Sequence, residues 1–140
     1  MTTPDQAKET VLDYYADARA AIGADAWREM SSWGPCQLDG HPDEIQWTFS
    51  AQRFVELPLT PNSYGEQIAA AWTSRGLGPF AGEDDGSTRG SYIVSDPPPL
   101  SGIRSDGGFT QISLDPRSAL FRANSVCVPG RLEDMEPPQG

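Results

Sequence analysis

Residues 44–58, EIQWTFSAQRFVELP, decide how the chain is read. Ile45, Trp47 and Phe49 alternate with Gln46, Thr48 and Ser50, the period-two pattern of a strand with one buried face. Phe54 falls on the opposite parity, so a bulge or short turn around Ala51 to Arg53 is expected to return both aromatics to the core. Pro58 and Pro61 end the extended run. What flanks this strand sets the fold class.

Upstream, TPDQAKETVLDYYADARAAIGADAWREMSSW begins with Thr3 as N-cap, Pro4 at the first helical position and Gln6 where a capping box needs it. Val11, Tyr15, Ala18 and Ile22 make one apolar stripe, which Ala26 and Trp33 roughly continue, so a helix is expected over 4–32. Gly23 is a point where that helix can kink or divide. Downstream, Ser63 and Glu66 stand at capping-box spacing. Tyr64, Ile68, Ala71 and Trp72 recur at helical intervals and Gly76 supplies a stop, predicting a second helix over 62–76. PFAGEDDGSTRG, 79–90, has no period and reads as a solvated acidic loop.

From Ser91 the chain is extended and punctuated: SYIVS, DPPPLSGIRSDGG, FTQISL, DPRS, ALFRANSVCV. Short runs between Pro, Gly and Asp signals predict antiparallel strands over 90–128, and LDPRSAL reads as a hairpin because Asp-Pro initiates a turn between alternating runs. Residues 129–140 lack an apolar period and are expected to fray. The expectation is one α+β domain over 1–140, an antiparallel sheet of about four strands with two helices packed on one face.

The 140 residues suit one domain of common size, and four Trp, five Phe and four Tyr supply large buried surface. The formal charge of −10 and the absence of any Lys/Arg patch make nucleic acid and anionic membrane surfaces poor partners. Lys8 is the sole lysine beside nine arginines, a bias of the kind a GC-rich genome leaves. No apolar run approaches the ~18 residues that would span a bilayer. The chain opens without a basic segment followed by an apolar one, and Thr3-Pro4 starts a helix almost at once, as a trimmed export segment would leave it. Membrane contact is expected only through an N-terminal lipid anchor that this chain does not carry.

The segment WGPCQLDGHPDE, 33–44, holds Cys36, the single histidine His41, and Asp39, Asp43 and Glu44. Imidazole with carboxylates suits several divalent ions, but the spacing matches no strong ligand motif and no second histidine completes a common zinc set. The stretch reads better as a polar turn stapled down by its cysteine, and no metal or cofactor is assigned. Cys36 and Cys127 each lie at the end of a predicted element. Two reduced, buried cysteines are the alternative; the turn around Cys36, between Gly34-Pro35 and a polar run, favours a disulfide.

No catalytic residue is assigned. There is no CxxC, no G-x-S-x-G elbow and no Gly-rich phosphate cradle, and GEDDG, 82–86, lacks the spacing of a calcium loop. Of the tryptophans, Trp47 and Trp72 fall on predicted apolar faces. Trp27 points off the first helix's stripe and, with His41, is the candidate contact surface. The expected function is a non-enzymatic binding or envelope-associated domain whose ligand is an unidentified protein or small molecule. A small-pocket enzyme or carrier using His41 and nearby carboxylates is the alternative from another class, with His41 bonded to a carboxylate at the floor of a deep pocket as its signature. A cytosolic acidic inhibitor or immunity-type protein, masking a basic partner, is the third reading.

Taken together, WTFSAQRFVELP (47–58), AAAWTSRGLGPF (69–80), SYIVS (91–95), FTQISL (109–114) and NSVCVPG (124–130) resemble the mature part of small actinobacterial cell-envelope lipoproteins. Those proteins show a helix ending near a first cysteine, an aromatic strand, an Ala/Trp-rich helix closing on R-G-x-G, and a last strand ending S-x-C-V. The resemblance covers about residues 4–130 and implies a lipid-anchored, extracytoplasmic α+β domain with a Cys36–Cys127 bridge. A weaker likeness links VLDYYADARAAIGADAW to the first helix of NTF2-like or cystatin-like folds, from which a single strand run between the helices separates this chain.

A Cys36–Cys127 bridge closes a loop of roughly 90 residues, for which chain entropy gives about 4 to 5 kcal/mol. Cys36→Ser or Cys127→Ser should therefore lower the thermal midpoint by several degrees, at about 3 to 6 °C per kcal/mol. Reductant should destabilise the parent and leave the double-serine variant unchanged. Two freely titrating thiols in the oxidatively purified protein would contradict the bridge.

Overall fold

The computed structural model describes residues 1–84 and 90–140. The order of elements is α1 (Pro4–Ile22), β1 (Arg28–Pro35), β2 (Glu44–Arg53), α2 (Pro61–Ser74), β3 (Phe80–Glu83), β4 (Tyr92–Asp96), β5 (Phe109–Asp115), β6 (Ser118–Asn124) and the short β7 (Val128–Pro129), with a 3-10 turn at Leu132–Asp134. One antiparallel sheet runs β1-β2-β6-β5-β4-β3, with β7 paired to β2. The α+β class stands; the described residues form a sheet of seven strands rather than about four.

The first helix is capped as its sequence predicts, the Thr3 hydroxyl accepting the Gln6 N–H while the Gln6 side chain accepts the Thr3 N–H. It ends at Ile22, ten residues short of the expected Ser32. Gly23 leaves helical geometry at φ +142°, and residues 28–35 form strand β1 against β2, from Arg28↔Gln52 to Pro35↔Ile45. Pairing along a whole strand outweighs the modest helical preference of Arg-Glu-Met. Two strands therefore lie between the helices, not one.

Strand β2 needs no bulge. Its inward positions run Ile45, Trp47, Phe49, Ala51 and Arg53 without a change of phase, and Phe54 lies beyond the strand, 66% exposed. Arg53 fills the last inward position because its guanidinium donates to the Asp25 carbonyl at 3.0 Å and to the Asp25 carboxylate at 3.3 Å.

The second helix begins at Pro61 with Thr60 as its cap residue, so Ser63 and Glu66 do not form the expected capping box; the Ser63 hydroxyl pairs with that of Thr60. Gly76, at φ +101°, supplies the stop in the left-handed region that glycine tolerates. Residues 80–83, expected as loop, form edge strand β3. Of GEDDG, residues 85 and 86 lie outside the described residues. The predicted hairpin is present: Asp115 pairs with Ser118, and its carboxylate accepts the Arg117 N–H at 2.7 Å and the Ser118 hydroxyl at 2.8 Å.

Both helices pack on one sheet face. Val11, Tyr14, Tyr15 and Ala18 of α1 and Tyr64, Ile68 and Trp72 of α2 enclose Trp47, Phe49, Val94, Ile112, Leu114 and Phe121. Phe121 lies at the centre, within aromatic contact of Tyr15, Phe49 and Trp72. The Trp72 indole N–H, buried with its ring, donates to the Tyr14 carbonyl at 3.1 Å and ties the helices together.

The C-terminal segment does not fray. Ser31 and Gln139 exchange backbone hydrogen bonds of 2.9 and 2.8 Å, Lys8 pairs with Glu136 at 2.7 Å, and Met135 packs against Ile45 and Val128. Edge strand β1 offers unpaired backbone groups, and a segment with no apolar period can still satisfy them. The Lys8 ammonium holds the Glu136 carboxyl below the usual carboxylate range, so this tie is intact at neutral pH and is lost as acid protonates Glu136.

Phe121→Ala should cost about 3 to 5 kcal/mol, whereas Phe54→Ser should change stability by no more than about 0.5 kcal/mol. Urea denaturation of the two variants distinguishes this phase of β2 from one with Phe54 in the core.

Candidate functional site

Two places gather chemistry, and the turn joining β1 to β2 is the first. Cys36 and Cys127 form a disulfide with Cα atoms 5.4 Å apart across a sequence separation of 91. The Cys36 N–H donates to the Glu44 carbonyl at 3.0 Å, and the Leu38 N–H donates to the Cys36 sulfur at 3.3 Å. His41 Nδ1 hydrogen-bonds Glu44 Oε1, and its side chain is 43% exposed. Cys36, His41 and Glu44 each present one ligand atom, all within 4.8 Å of one another, while Asp39 and Asp43 stand outside that group. His41 is therefore bonded to a carboxylate, but on an exposed turn.

The partner cysteine is held by buried polar groups. Gln46 lies on the sheet face away from the helices and is only 1% exposed; its amide donates to the Gly107 carbonyl at 3.0 Å and the Ser125 carbonyl at 2.9 Å. The Cys127 N–H donates to the Asp106 carbonyl at 2.9 Å. Gly107 has φ +90°, and a Cβ there would lie 2.5 Å from the Cys127 sulfur, so the loop's close approach to the bridge requires glycine.

Trp27 does not stand out from a helix. It closes the turn between α1 and β1, half-buried, its ring edge-on to Tyr15 with centroids 5.5 Å apart and its N–H donating to the Gly23 carbonyl at 2.7 Å. It and His41 are on separate turns of the chain.

The second place is a groove of about 770 Å³ on the sheet face opposite the helices. Ile93, Phe109, Gln111, Ser113 and Arg122 form its floor, Pro98, Pro99 and Leu100 one wall, and Phe80, Glu83 and Asp84 the far rim. A polar ladder crosses three strands beneath it: Arg122 donates to Gln111 Oε1, the Gln111 amide donates to the Ser95 hydroxyl at 3.2 Å, and that hydroxyl donates to the Pro97 carbonyl at 2.6 Å. Ser95 and Gln111 are buried. The Arg122 guanidinium lies 5.7 Å from the Phe109 ring centroid and forms no ion pair among the described residues. Leu100, at φ +65° and fully exposed, projects from the wall.

Sequence reasoning missed this groove. Gln111, Ser113 and Arg122 occupy the outward phase of their strands, which reads as a solvated face. The available signal was the PPPL excursion directly after a strand, an apolar loop with no helix or strand of its own.

No family model matches the sequence, and no curated protein matches it. Among solved structures, the fold is similar to the crystal structure of a DUF4853 family protein from Actinomyces odontolyticus, with a TM-score of 0.55, 11% identity, and coverage of 96% of this chain and 73% of that one. At that identity the likeness is one of fold.

Gly107→Ala should lower the thermal midpoint by several degrees, since a left-handed non-glycine residue alone costs about 1 to 2 kcal/mol. The loss should shrink in the Cys36→Ser/Cys127→Ser background, where the sulfur that the new methyl meets is gone. Equal losses in both backgrounds would place the strain elsewhere.

Proposed function

We propose that this chain is a non-enzymatic, extracytoplasmic binding domain of the actinobacterial envelope, carried as the soluble part of a lipoprotein, and that the groove beside Arg122 holds an amphipathic ligand with an acidic head group. The carrying observation is Arg122 itself: a guanidinium without an ion pair among the described residues, oriented by the Gln111–Ser95 ladder, in the floor of a groove that mixes apolar side chains with polar ones and has the Glu83 and Asp84 carboxylates on its far rim. Arginine's planar donor fork suits carboxylate or phosphate, and the lining side chains of Phe80, Ile93, Phe109 and the prolines suit an apolar body. The volume lies within the range of small-molecule sites.

The intramolecular disulfide favours an oxidising compartment. The shared fold with a protein of Actinomyces odontolyticus supports the actinobacterial part of the reading. His41, the single imidazole, lies outside the groove's lining on an exposed turn, which favours binding over acid–base chemistry there.

A fluorescent long-chain carboxylate should bind the protein, and the corresponding alcohol should bind at least about tenfold more weakly, a difference of about 1.4 kcal/mol for one charge-assisted contact. Arg122→Gln should erase the preference while the protein keeps its native circular dichroism, with some loss of melting temperature because the buried Gln111 oxygen loses its donor. Equal binding of acid and alcohol, or a preference that survives Arg122→Gln, would overturn the ligand class. Recovery of the full-length gene product in the cytosolic fraction of its native cells would overturn the compartment.

A further inference from the structure

We propose that reduction of the Cys36–Cys127 bridge converts the β1–β2 turn into a divalent-metal site of zinc type, with the Cys36 thiolate, the His41 imidazole and the Glu44 carboxylate as its protein ligands. The three ligand atoms already lie within 4.8 Å of one another. Zinc–sulfur bonds of about 2.3 Å and zinc–nitrogen or –oxygen bonds of about 2.0 to 2.2 Å call for ligand atoms roughly 3.3 to 3.8 Å apart. No pair is more than 4.8 Å apart, and the His41–Glu44 pair, already in hydrogen-bond contact, has to open slightly; both adjustments ask for small rotations of a 43%-exposed histidine and a partly exposed glutamate.

The bridge does not create this juxtaposition. Cys36 and Glu44 face each other one step beyond the last pair of the β1–β2 ladder, Pro35↔Ile45, joined by the Cys36 N–H to Glu44 carbonyl hydrogen bond. The Glu44 N–H donates to the His41 carbonyl at 3.3 Å, which turns His41 back over the same spot. The hairpin thus gathers the ligands by local hydrogen bonds that survive when the sulfur–sulfur bond is broken. The Leu38 N–H, 3.3 Å from the Cys36 sulfur, is a donor placed to stabilise negative charge there. Thiolate plus carboxylate carry two negative charges, matching a dication, and sulfur with imidazole selects zinc over calcium or magnesium.

The redox step balances with an external dithiol as reductant. The dithiol is oxidised to its own disulfide, two electrons break the Cys36–Cys127 bond, and two protons leave both cysteines as thiols. Metal binding then displaces the Cys36 proton to solvent and takes the place of the hydrogen bond between His41 and Glu44. In the oxidised protein the sulfur has no thiolate form, leaving two ligands, too few to hold zinc firmly. The bridge and the metal are alternative occupants of one sulfur.

Cobalt(II), displaced afterwards by zinc, is the probe. Under anaerobic phosphine reductant the parent should bind one cobalt per chain with a thiolate-to-metal charge-transfer band, and the oxidised parent should show no such band. Cys127→Ser should show it without any reductant. His41→Ala should weaken binding by more than about tenfold, since even an outer-shell partner of a metal ligand is worth that much. If the reduced parent or Cys127→Ser loses its native circular dichroism, added zinc should restore it, because metal affinity then appears as folding free energy. A chain that stays unfolded with excess zinc overturns the proposal. So does cobalt binding that is equal in oxidised and reduced protein, that is indifferent to His41→Ala, or that survives Cys36→Ser.

Discussion

Strand β2 is the constraint on which the other elements depend. Its ten residues pair with β1 along one edge and with β6 and β7 along the other, and Trp47 and Phe49 on its inner face anchor the core. The pairing with β6 joins Thr48 to Asn124 and the pairing with β7 joins Ile45 to Val128, so segments far apart in sequence must meet before this part of the sheet exists. Ordering so distant a closure is entropically costly. The Cys36–Cys127 bond lies one step from these pairs and constrains the unfolded chain toward the same closure. Gln46, on the outer face of β2, reinforces it by satisfying the carbonyls of Gly107 and Ser125 from a buried position.

The sheet treats its two faces differently. The inner face is closed by two helices, and its exceptions to apolarity are tied down, as Arg53 is by Asp25. Among the described residues the outer face has no helix. The loop between β4 and β5 covers part of it, and the remainder is the groove. Burying polar groups beneath such a groove is costly unless they bond to one another, and the ladder Arg122–Gln111–Ser95–Pro97 meets that requirement across three strands. The same ladder orients Arg122 in the floor. What stabilises this face also shapes what it can hold.

The groove and the cysteine-bearing turn use different physics. The groove combines apolar walls with the oriented Arg122 guanidinium and the Glu83 and Asp84 carboxylates of its rim, and its lining is drawn from β3, β4, β5 and β6 and the loop after β4. The turn is local: Cys36, His41 and Glu44 lie within nine residues of one another, and a hairpin alone brings them together. Redox chemistry at Cys36 decides whether that sulfur serves the fold or is free to serve as a ligand.

The sequence by itself determined the elements whose signals are local. Thr3, Pro4 and Gln6 cap α1, Val11, Tyr15 and Ala18 face the core, the alternation at 45–49 is a strand, and Asp115-Pro116 turns a hairpin, because each depends on neighbours within a few residues. The bridge was also legible, since two cysteines at the ends of elements leave few arrangements. Only tertiary structure decided that 28–35 is a strand and that Arg53 rather than Phe54 faces inward. It also decided that Gln139 closes the edge of β1, and that Gln111 and Arg122 floor a groove. In each of these the partner lies far along the chain, and a backbone edge or a polar outward face carries no side-chain period to announce it. Local propensity differs by tenths of a kcal/mol between helix and strand, and a long-range ladder with its hydrogen bonds and packing outweighs that difference.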